Sequence, residues 1–318
     1  VDEQATPDGN FPTVKSPNPE ESAALELAMK KAIEIDADLV MATDPDADRV
    51  GIAIRKGDEM VLLNGNQAAS LLIYYLLTKW KELGKLTGNE FIVKTIVTSE
   101  LLAKIAEKDN VEHFDVLTGF KYIADIIKRF EGEKTFIGGG EESYGYLVGD
   151  FVRDKDAVIS CAMIAETAAW AADKGIGLYD LLLDIYVEFG LYKEKLISVV
   201  RKGKSGAEEI QNMMRDFRAN PPASLNNSKV VVINDYLTGI SKNTETGLEK
   251  KIDLPSSNVL QFIAADGGKV SVRPSGTEPK IKFYFGVVAP LAHKSDFEKV
   301  DAQLEDSISN YISDLGLD

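Results

Sequence analysis

The chain is poor in the residues that usually announce redox or metal chemistry: one cysteine and two histidines in 318 residues. With Cys161 alone no intrachain disulfide can form, and a reducing, cytoplasmic setting is expected. Cys161 and the two tryptophans, Trp80 and Trp170, read as packing residues of helices. His113 and His293 are isolated, without a partner spacing, and are expected at the surface. Positive charge is also scarce. The 36 Lys and Arg stand against 51 Asp and Glu, a net charge of -15, which argues against nucleic acid or an anionic membrane as partner. An anionic substrate would need a local positive island. No apolar run approaches transmembrane length and no signal peptide is visible, and there is no short-period repeat or low-complexity tract. Core-forming residues, by contrast, are plentiful at 44% apolar. The length exceeds what one core supports, so two or three domains are expected. The chain opens at Val1, without a methionine, in a polar stretch, and so reads as trimmed from something longer.

Residues 1–18, with Pro7, Pro12 and Pro17, read as loop. Asn18-Pro19-Glu20-Glu21 has the form of a helix start, with an N-cap, proline at the first helical position and acids in the first turn. Strand Leu39–Thr43 leads into an acidic loop, and Val50–Ile54 continues as strand. Lys56-Gly57-Asp58 turns the chain into Met60–Leu63. Helix 65–82, strand 91–97, helix 99–107, strand 114–117, helix 120–130 and strand 134–138 then alternate as βαβ units do. A glycine-rich loop, 138–150, precedes helices near 156–174 and 177–190. From about 192 the texture changes to strand 195–200, helix 206–218, several strands between 229 and 288, and a closing helix 294–314. Ala219–Asn227 is a loop within this last part.

Three loops could carry chemistry. In Thr43-Asp44-Pro45-Asp46-Ala47-Asp48-Arg49 the carboxylates fall at i, i+2 and i+4, so an extended or looped backbone can aim all three at one point. Oxygen-only ligands suit Mg²⁺ or Ca²⁺, and Arg49 adds a planar, permanently charged fork suited to phosphate. A solvated acidic turn is the plain alternative. An EF-hand fits poorly, because Arg49 stands where that loop needs glycine and Arg55 where it needs glutamate. A haloacid-dehalogenase-type phosphatase, with Asp44 as nucleophile, remains a rival. In Gly138-Gly139-Gly140-Glu141-Glu142-Ser143-Tyr144-Gly145-Tyr146, glycines free the backbone for close approach, and a carboxylate follows that could accept vicinal sugar hydroxyls. A structural glycine turn competes with that reading. In Arg273-Pro274-Ser275-Gly276-Thr277-Glu278-Pro279-Lys280, backbone N–H groups, two hydroxyls and a guanidinium make a phosphate cradle; a plain turn is the alternative, and a nucleotide P-loop is excluded by the missing Gly-Lys-Ser/Thr. Lys155 in Asp154-Lys155-Asp156 and Lys121 in Thr118-Gly119-Phe120-Lys121 are usually solvated or structural residues unless a phosphate or sugar lies beside them.

Together these loops, with Thr118-Gly119-Phe120-Lys121 and Asp154-Lys155-Asp156, resemble the α-D-phosphohexomutase superfamily in order and separation, across essentially the whole chain. Within it, Gly-Glu-Glu-Ser with a following aromatic is similar to the phosphoglucomutase/phosphomannomutase branch, including phosphopentomutase-like members. The resemblance implies a multi-domain α/β protein: residues 1–62 as part of domain 2, 63–190 as domain 3, both mixed-sheet α/β, and 191–318 as an α+β domain 4. It implies phosphoryl transfer between O1 and O6 of a hexose through an enzyme phosphoserine and a bisphosphorylated intermediate. Asp44, Asp46 and Asp48 would hold Mg²⁺; Glu141 and Ser143 would bind sugar hydroxyls; Arg273, Ser275, Gly276 and Thr277 would bind the substrate phosphate. Arg49 would contact the phosphoserine region, with Lys155 and Lys121 candidates for substrate contact or proton transfer. The family's Thr/Ala-Ser-His-Asn-Pro-type loop has no counterpart here. The chain is therefore expected to be a C-terminal fragment, inactive alone, lacking domain 1 and part of domain 2, and retaining at most phosphosugar binding.

Overall fold

The computed structural model describes residues 1–201, 203–276 and 278–317, and they form two compact units, Val1–Phe189 and Gly190–Asp318. The first unit begins with a short 3-10 helix, Asp2–Gln4, in a stretch expected as loop. Helix α1 is Ser22–Glu34, three residues later than Asn18-Pro19 suggests. The Asn18 side chain does accept a backbone bond, from Glu20 N–H at 3.0 Å, but it caps a turn rather than the helix. Pro19 is instead buried against Gly51, where an added Cβ would lie 2.3 Å from the Pro19 carbonyl oxygen. Strands β1 (Leu39–Thr43), β2 (Val50–Lys56) and β3 (Glu59–Leu62) form an antiparallel sheet in that order. Leu25, Ala32, Val40 and Ala53 close a small core between α1 and this sheet.

The second sheet supplies mixed directions. Helix α2 (Gly65–Glu82), strand β4 (Glu90–Thr95), helix α3 (Leu101–Lys108), strand β5 (Glu112–Val116), helix α4 (Phe120–Arg129), strand β6 (Thr135–Gly140) and strand β7 (Tyr146–Val148) follow in turn. The sheet order is β5-β4-β6-β7, with β4 parallel to both neighbours and β7 antiparallel to β6. Helix α2 starts at a reciprocal cap between Asn64 and Gln67, which satisfies two otherwise unpaired backbone donors. Phe91, Val93, Val116, Phe120, Ile123, Ile127, Phe136 and Leu147 form the core between sheet and helices. Residues 138–140, read as loop from their glycines, are strand: a Cβ on Gly139 would lie 2.1 Å from the Val93 carbonyl oxygen, so glycine lets β6 close onto β4. Helices α5 (Ala157–Asp173) and α6 (Leu178–Phe189) complete the unit.

The second unit is built on one large antiparallel sheet. Its strands are β8 (Leu191–Val200), β9 (Ser224–Leu225), β10 (Ser228–Asp235), β11 (Ile240–Asn243), β12 (Glu249–Lys251), β13 (Leu260–Ala264), β14 (Lys269–Pro274) and β15 (Lys280–Ala289). They run β12-β11-β10-β13-β14-β15-β8, with β9 beside β10. Helices α7 (Gly203–Ala219) and α8 (Phe297–Asp314) pack on the sheet, α7 through Phe217 against Phe262 and Phe283. Among the described residues, no helix is long and apolar enough to cross a membrane.

Candidate functional site

The acidic loop is the connection of a hairpin. β1 and β2 pair from Leu39↔Ile54 to Thr43↔Val50, which leaves residues 44–49 to reverse the chain. Asp44 builds that reversal: its Oδ1 accepts the backbone N–H groups of Asp48 at 3.0 Å and Arg49 at 2.9 Å. One oxygen each from Asp44, Asp46 and Asp48 then lie within 4.8 Å of one another. Burial and the neighbouring Asp48 and Asp46 push the Asp44 carboxyl above the usual carboxylate range. For Asp48 burial acts the same way, but Lys155 and Arg49 outweigh it and hold that carboxyl below the usual range. Three carboxyls converging with oxygen-only donors and residual repulsion fit a hard divalent cation. Arg49 donates to Glu20 at 2.8 Å, with its Nε 3.6 Å from Asp48 and 3.9 Å from Asp44.

Two other segments close around this loop. Lys155 lies mostly buried, its Nζ 2.8 Å from Asp48 Oδ2 and 3.3 Å from Asp154 Oδ1. Burial opposes its charge, yet the Asp48 hydrogen bond and charge raise its pKa above the ordinary value; it is an ion-paired ammonium, not a solvated one. Its aliphatic stem crosses Gly145, where a Cβ would lie 2.1 Å from Lys155 Cδ, so the glycine is needed for the lysine to reach the acidic loop. Main-chain bonds join the same segments: Val50 N–H to the Tyr144 carbonyl at 3.1 Å, and Ala157 N–H to the Ala47 carbonyl at 3.0 Å. The structure thus brings Asp44, Asp46, Asp48, Arg49, Lys155 and the 141–146 turn together.

Within that turn Glu141 is buried, and its Oε1 accepts Gly119 N–H at 2.7 Å. Glu142 Oε2 accepts Thr95 Oγ1–H at 3.2 Å and Thr98 Oγ1–H at 3.3 Å; burial, then the Glu141 charge, push its carboxyl above the usual range. Tyr146 Oη donates to the Gly65 carbonyl at 2.8 Å. Ser143 is half-buried beside them, and Lys121 is exposed in the first turn of α4 with its ammonium 4.9 Å from the Tyr122 ring.

The third loop belongs to the second unit. Arg273, near the end of β14, is half-buried and lies across the ladder from Lys282. Ser275 N–H donates to the Lys280 carbonyl at 2.8 Å, and Glu278 N–H to Ser275 Oγ at 3.4 Å, which folds the loop between β14 and β15. Gly276 is exposed, and a Cβ there would meet nothing within 4 Å. Thr277 lies outside the described residues.

The chain matches the family model for phosphoglucomutase/phosphomannomutase α/β/α domain II over residues 1–57 and that for domain III over residues 64–189. It belongs to the α-D-phosphohexomutase superfamily. A Staphylococcus saprophyticus phosphoglucomutase is 37% identical over 98% of this chain and 55% of its own length. A Staphylococcus aureus phosphoglucomutase is 40% identical over 94% of this chain and 53% of its own. The chain thus spans about half the length of the curated relatives it matches. Among solved structures, the Paramecium phosphoglucomutase pp63/parafusin aligns with TM-score 0.64 at 18% identity, covering 94% of this chain and 50% of that one. A Burkholderia thailandensis phosphoglucomutase/phosphomannomutase family protein aligns with TM-score 0.62 at 17% identity, over 97% and 53%. These two likenesses bear on fold alone. In this phosphohexomutase chain the loops single out few of the residues that support them. Thr95 and Thr98 carry no motif, Gly119 is marked only as part of Thr118-Gly119-Phe120-Lys121, and His113, expected at the surface and alone, is half-buried, with Nε2 3.7 Å from Glu107 and Nδ1 3.9 Å from Asp115. A parallel strand rich in apolar residues but interrupted by Lys94-Thr95 was the signal available for them.

Proposed function

We propose that this chain carries the metal-, sugar- and phosphate-recognition parts of a phosphosugar mutase acting on glucose or mannose phosphates. The observation that carries the reading is the junction of the acidic loop and the 141–146 turn through Lys155–Asp48 and two main-chain bonds. Asp44, Asp46 and Asp48 would hold Mg²⁺, which supplies positive charge where a transferring phosphoryl group spreads its negative charge. Lys155, held as a cation beside Asp48, balances the acidic loop and can offer a proton or a charged hydrogen bond to a sugar oxygen. Glu141 spends one lone pair on Gly119 N–H and keeps acceptor capacity for hydroxyls, with the Ser143 hydroxyl as a second contact. In the second unit, Arg273, Ser275, Gly276 and Thr277 would bind a phosphate group, Arg273 through its planar fork. Lys121, exposed at a helix start, is a further phosphate contact. Both histidines follow other residues than serine, Glu112 and Ala292, so residues 1–318 contain no Ser-His-Asn-Pro-type nucleophile loop, and the chain is assigned recognition rather than the covalent step. The phosphatase reading is disfavoured because Asp44 Oδ1 already accepts two backbone N–H groups, which ties the carboxylate to the turn and lowers its value as a nucleophile.

The test has two arms. Titration calorimetry of the chain should detect Mg²⁺ and glucose 6-phosphate, the first lost in Asp46→Asn and the second weakened in Arg273→Ala. Fusion behind the N-terminal portion of the Staphylococcus aureus relative should then convert glucose 1-phosphate to glucose 6-phosphate, Mg²⁺-dependently. A chain that binds neither probe, or that alone hydrolyses a phosphate ester and loses this on Asp44→Asn, would overturn the reading.

A further inference from the structure

One cation in the first unit lies wholly inside the protein and is not among the residues the three loops mark. Lys94, in the central strand β4, has a side chain with 0% exposure. Its Nζ is 3.1 Å from Glu100 Oε1 and 3.0 Å from Asp115 Oδ1. In the ladder Lys94 stands opposite Asp115 of β5 on one side and Gly140 of β6 on the other, so it sits directly before the 141–146 turn. Burial alone would strip a lysine of its proton; here the two carboxylates more than offset it and its pKa is raised, so the group is an ammonium.

The two carboxylates it holds lead into two different turns, Glu100 at the end of one and Asp115 in the strand before the other. Glu100 ends the β4–α3 turn, which carries Thr98, and Thr98 with Thr95 donates to Glu142. Asp115 lies just before the β5–α4 turn, which carries Gly119, and Gly119 N–H donates to Glu141. Asn66 braces the first turn through Ser99 N–H at 2.9 Å, and Ile96 N–H joins the two turns by donating to the Val116 carbonyl at 2.8 Å. We propose that Lys94 is a positioning residue: its enclosed ammonium fixes the β4–α3 and β5–α4 turns, through Glu100 and Asp115, in the spacing that aims the Glu141 and Glu142 carboxyls. A hydrophobic side chain of the same length would fill the space but release both turns. His113 faces both Asp115 and Glu107, so the released Asp115 would have a second cation to turn to, drawing the β5 end away from Gly119. The proposal rests on the sugar-binding reading of Glu141 for its consequence, though not for its geometry.

The experiment is amide hydrogen exchange on the 318-residue chain, read at Gly119 and Thr98, with glucose 6-phosphate and Mg²⁺ titrations in parallel. At a temperature where Lys94→Met stays folded by circular dichroism, Gly119 and Thr98 amides should exchange at least tenfold faster than in wild type. Affinity for glucose 6-phosphate should fall, Mg²⁺ affinity should hold, and Lys94→Arg should restore part of both losses. If Lys94→Met does not fold, Glu100→Gln and Asp115→Asn each release one arm, and should loosen Thr98 and Gly119 respectively. Unchanged exchange at both amides in every folded variant would overturn the proposal. Wild-type chain that does not bind glucose 6-phosphate would count against the sugar-binding reading instead, while the exchange data would still decide the role of Lys94.

Discussion

A carboxylate gains or loses by what surrounds it, and this chain has instances of both. Glu142 is held above the usual range by burial and a like charge. Glu90 at the start of β4 goes the other way: burial opposes ionisation, but the Thr87 hydroxyl and the backbone N–H groups of Thr87, Gly88 and Asn89 all donate to it and bring its pKa below the ordinary value. The depressed folded-state pKa means that this stabilisation is fully present above the unfolded-state value, about 4.3. It fades as pH falls through the folded-state value. Glu90→Gln should therefore cost on the order of 1–2 kcal/mol at pH 7, and the gap between the two proteins should narrow below about pH 4. Urea unfolding of both at pH 7 and pH 3.5 checks it; a gap of constant size would mean the nest does not depend on charge.

At the scale of elements, the alternation of strand and helix between residues 65 and 190 was plain in the sequence, because period and length agree there. Helix α2 falls on the residues its pattern marks, Gly65–Glu82. What the pattern hid is tertiary in origin. Pro19 looks like a helix start and is used to pack Gly51, while Gly138–Gly140 look like loop and are strand because β6 must approach β4 closely. The acidic loop was legible because three like charges at alternate positions need a physical reason. Its supports were not, since Val50, Ala47, Tyr144 and Ala157 contribute through backbone groups that every residue type carries. The start of α5 offers a test. Proline is tolerated at a first helical position after an extended residue, and Asp156 is extended, so Ala157→Pro should keep α5 while deleting the N–H that reaches Ala47. The expected cost is about 1 kcal/mol for the lost bond, with Mg²⁺ affinity down several-fold by calorimetry. Unaltered affinity in a folded variant would show that the acidic loop does not need α5.

For the whole molecule, the acidic loop and the Arg273–Lys280 loop belong to different units, divided at residue 190. Each unit has its own core, so a ligand of one should report on that unit. Mg²⁺ at ten times its dissociation constant should stabilise Val1–Phe189 by about 1.4 kcal/mol, which moves its melting temperature by roughly 3–6 °C for a unit of that size. The transition of Gly190–Asp318 should stay in place. Scanning calorimetry of wild type and Asp46→Asn, with and without Mg²⁺, decides it: a shift of both transitions, or a shift surviving in the variant, would place the ion elsewhere.

The acidic loop and the 141–146 turn are held together in part by peptide groups alone, at Val50–Tyr144 and Ala157–Ala47. Such bonds are blind to the genetic code except at proline. Side chains along the two segments could therefore be exchanged one at a time without either of these two bonds being lost. Side-chain drift would leave the scaffold as it is, whereas a proline at position 50 or 157, or an insertion or deletion between the two segments, would end part of the partnership at a stroke.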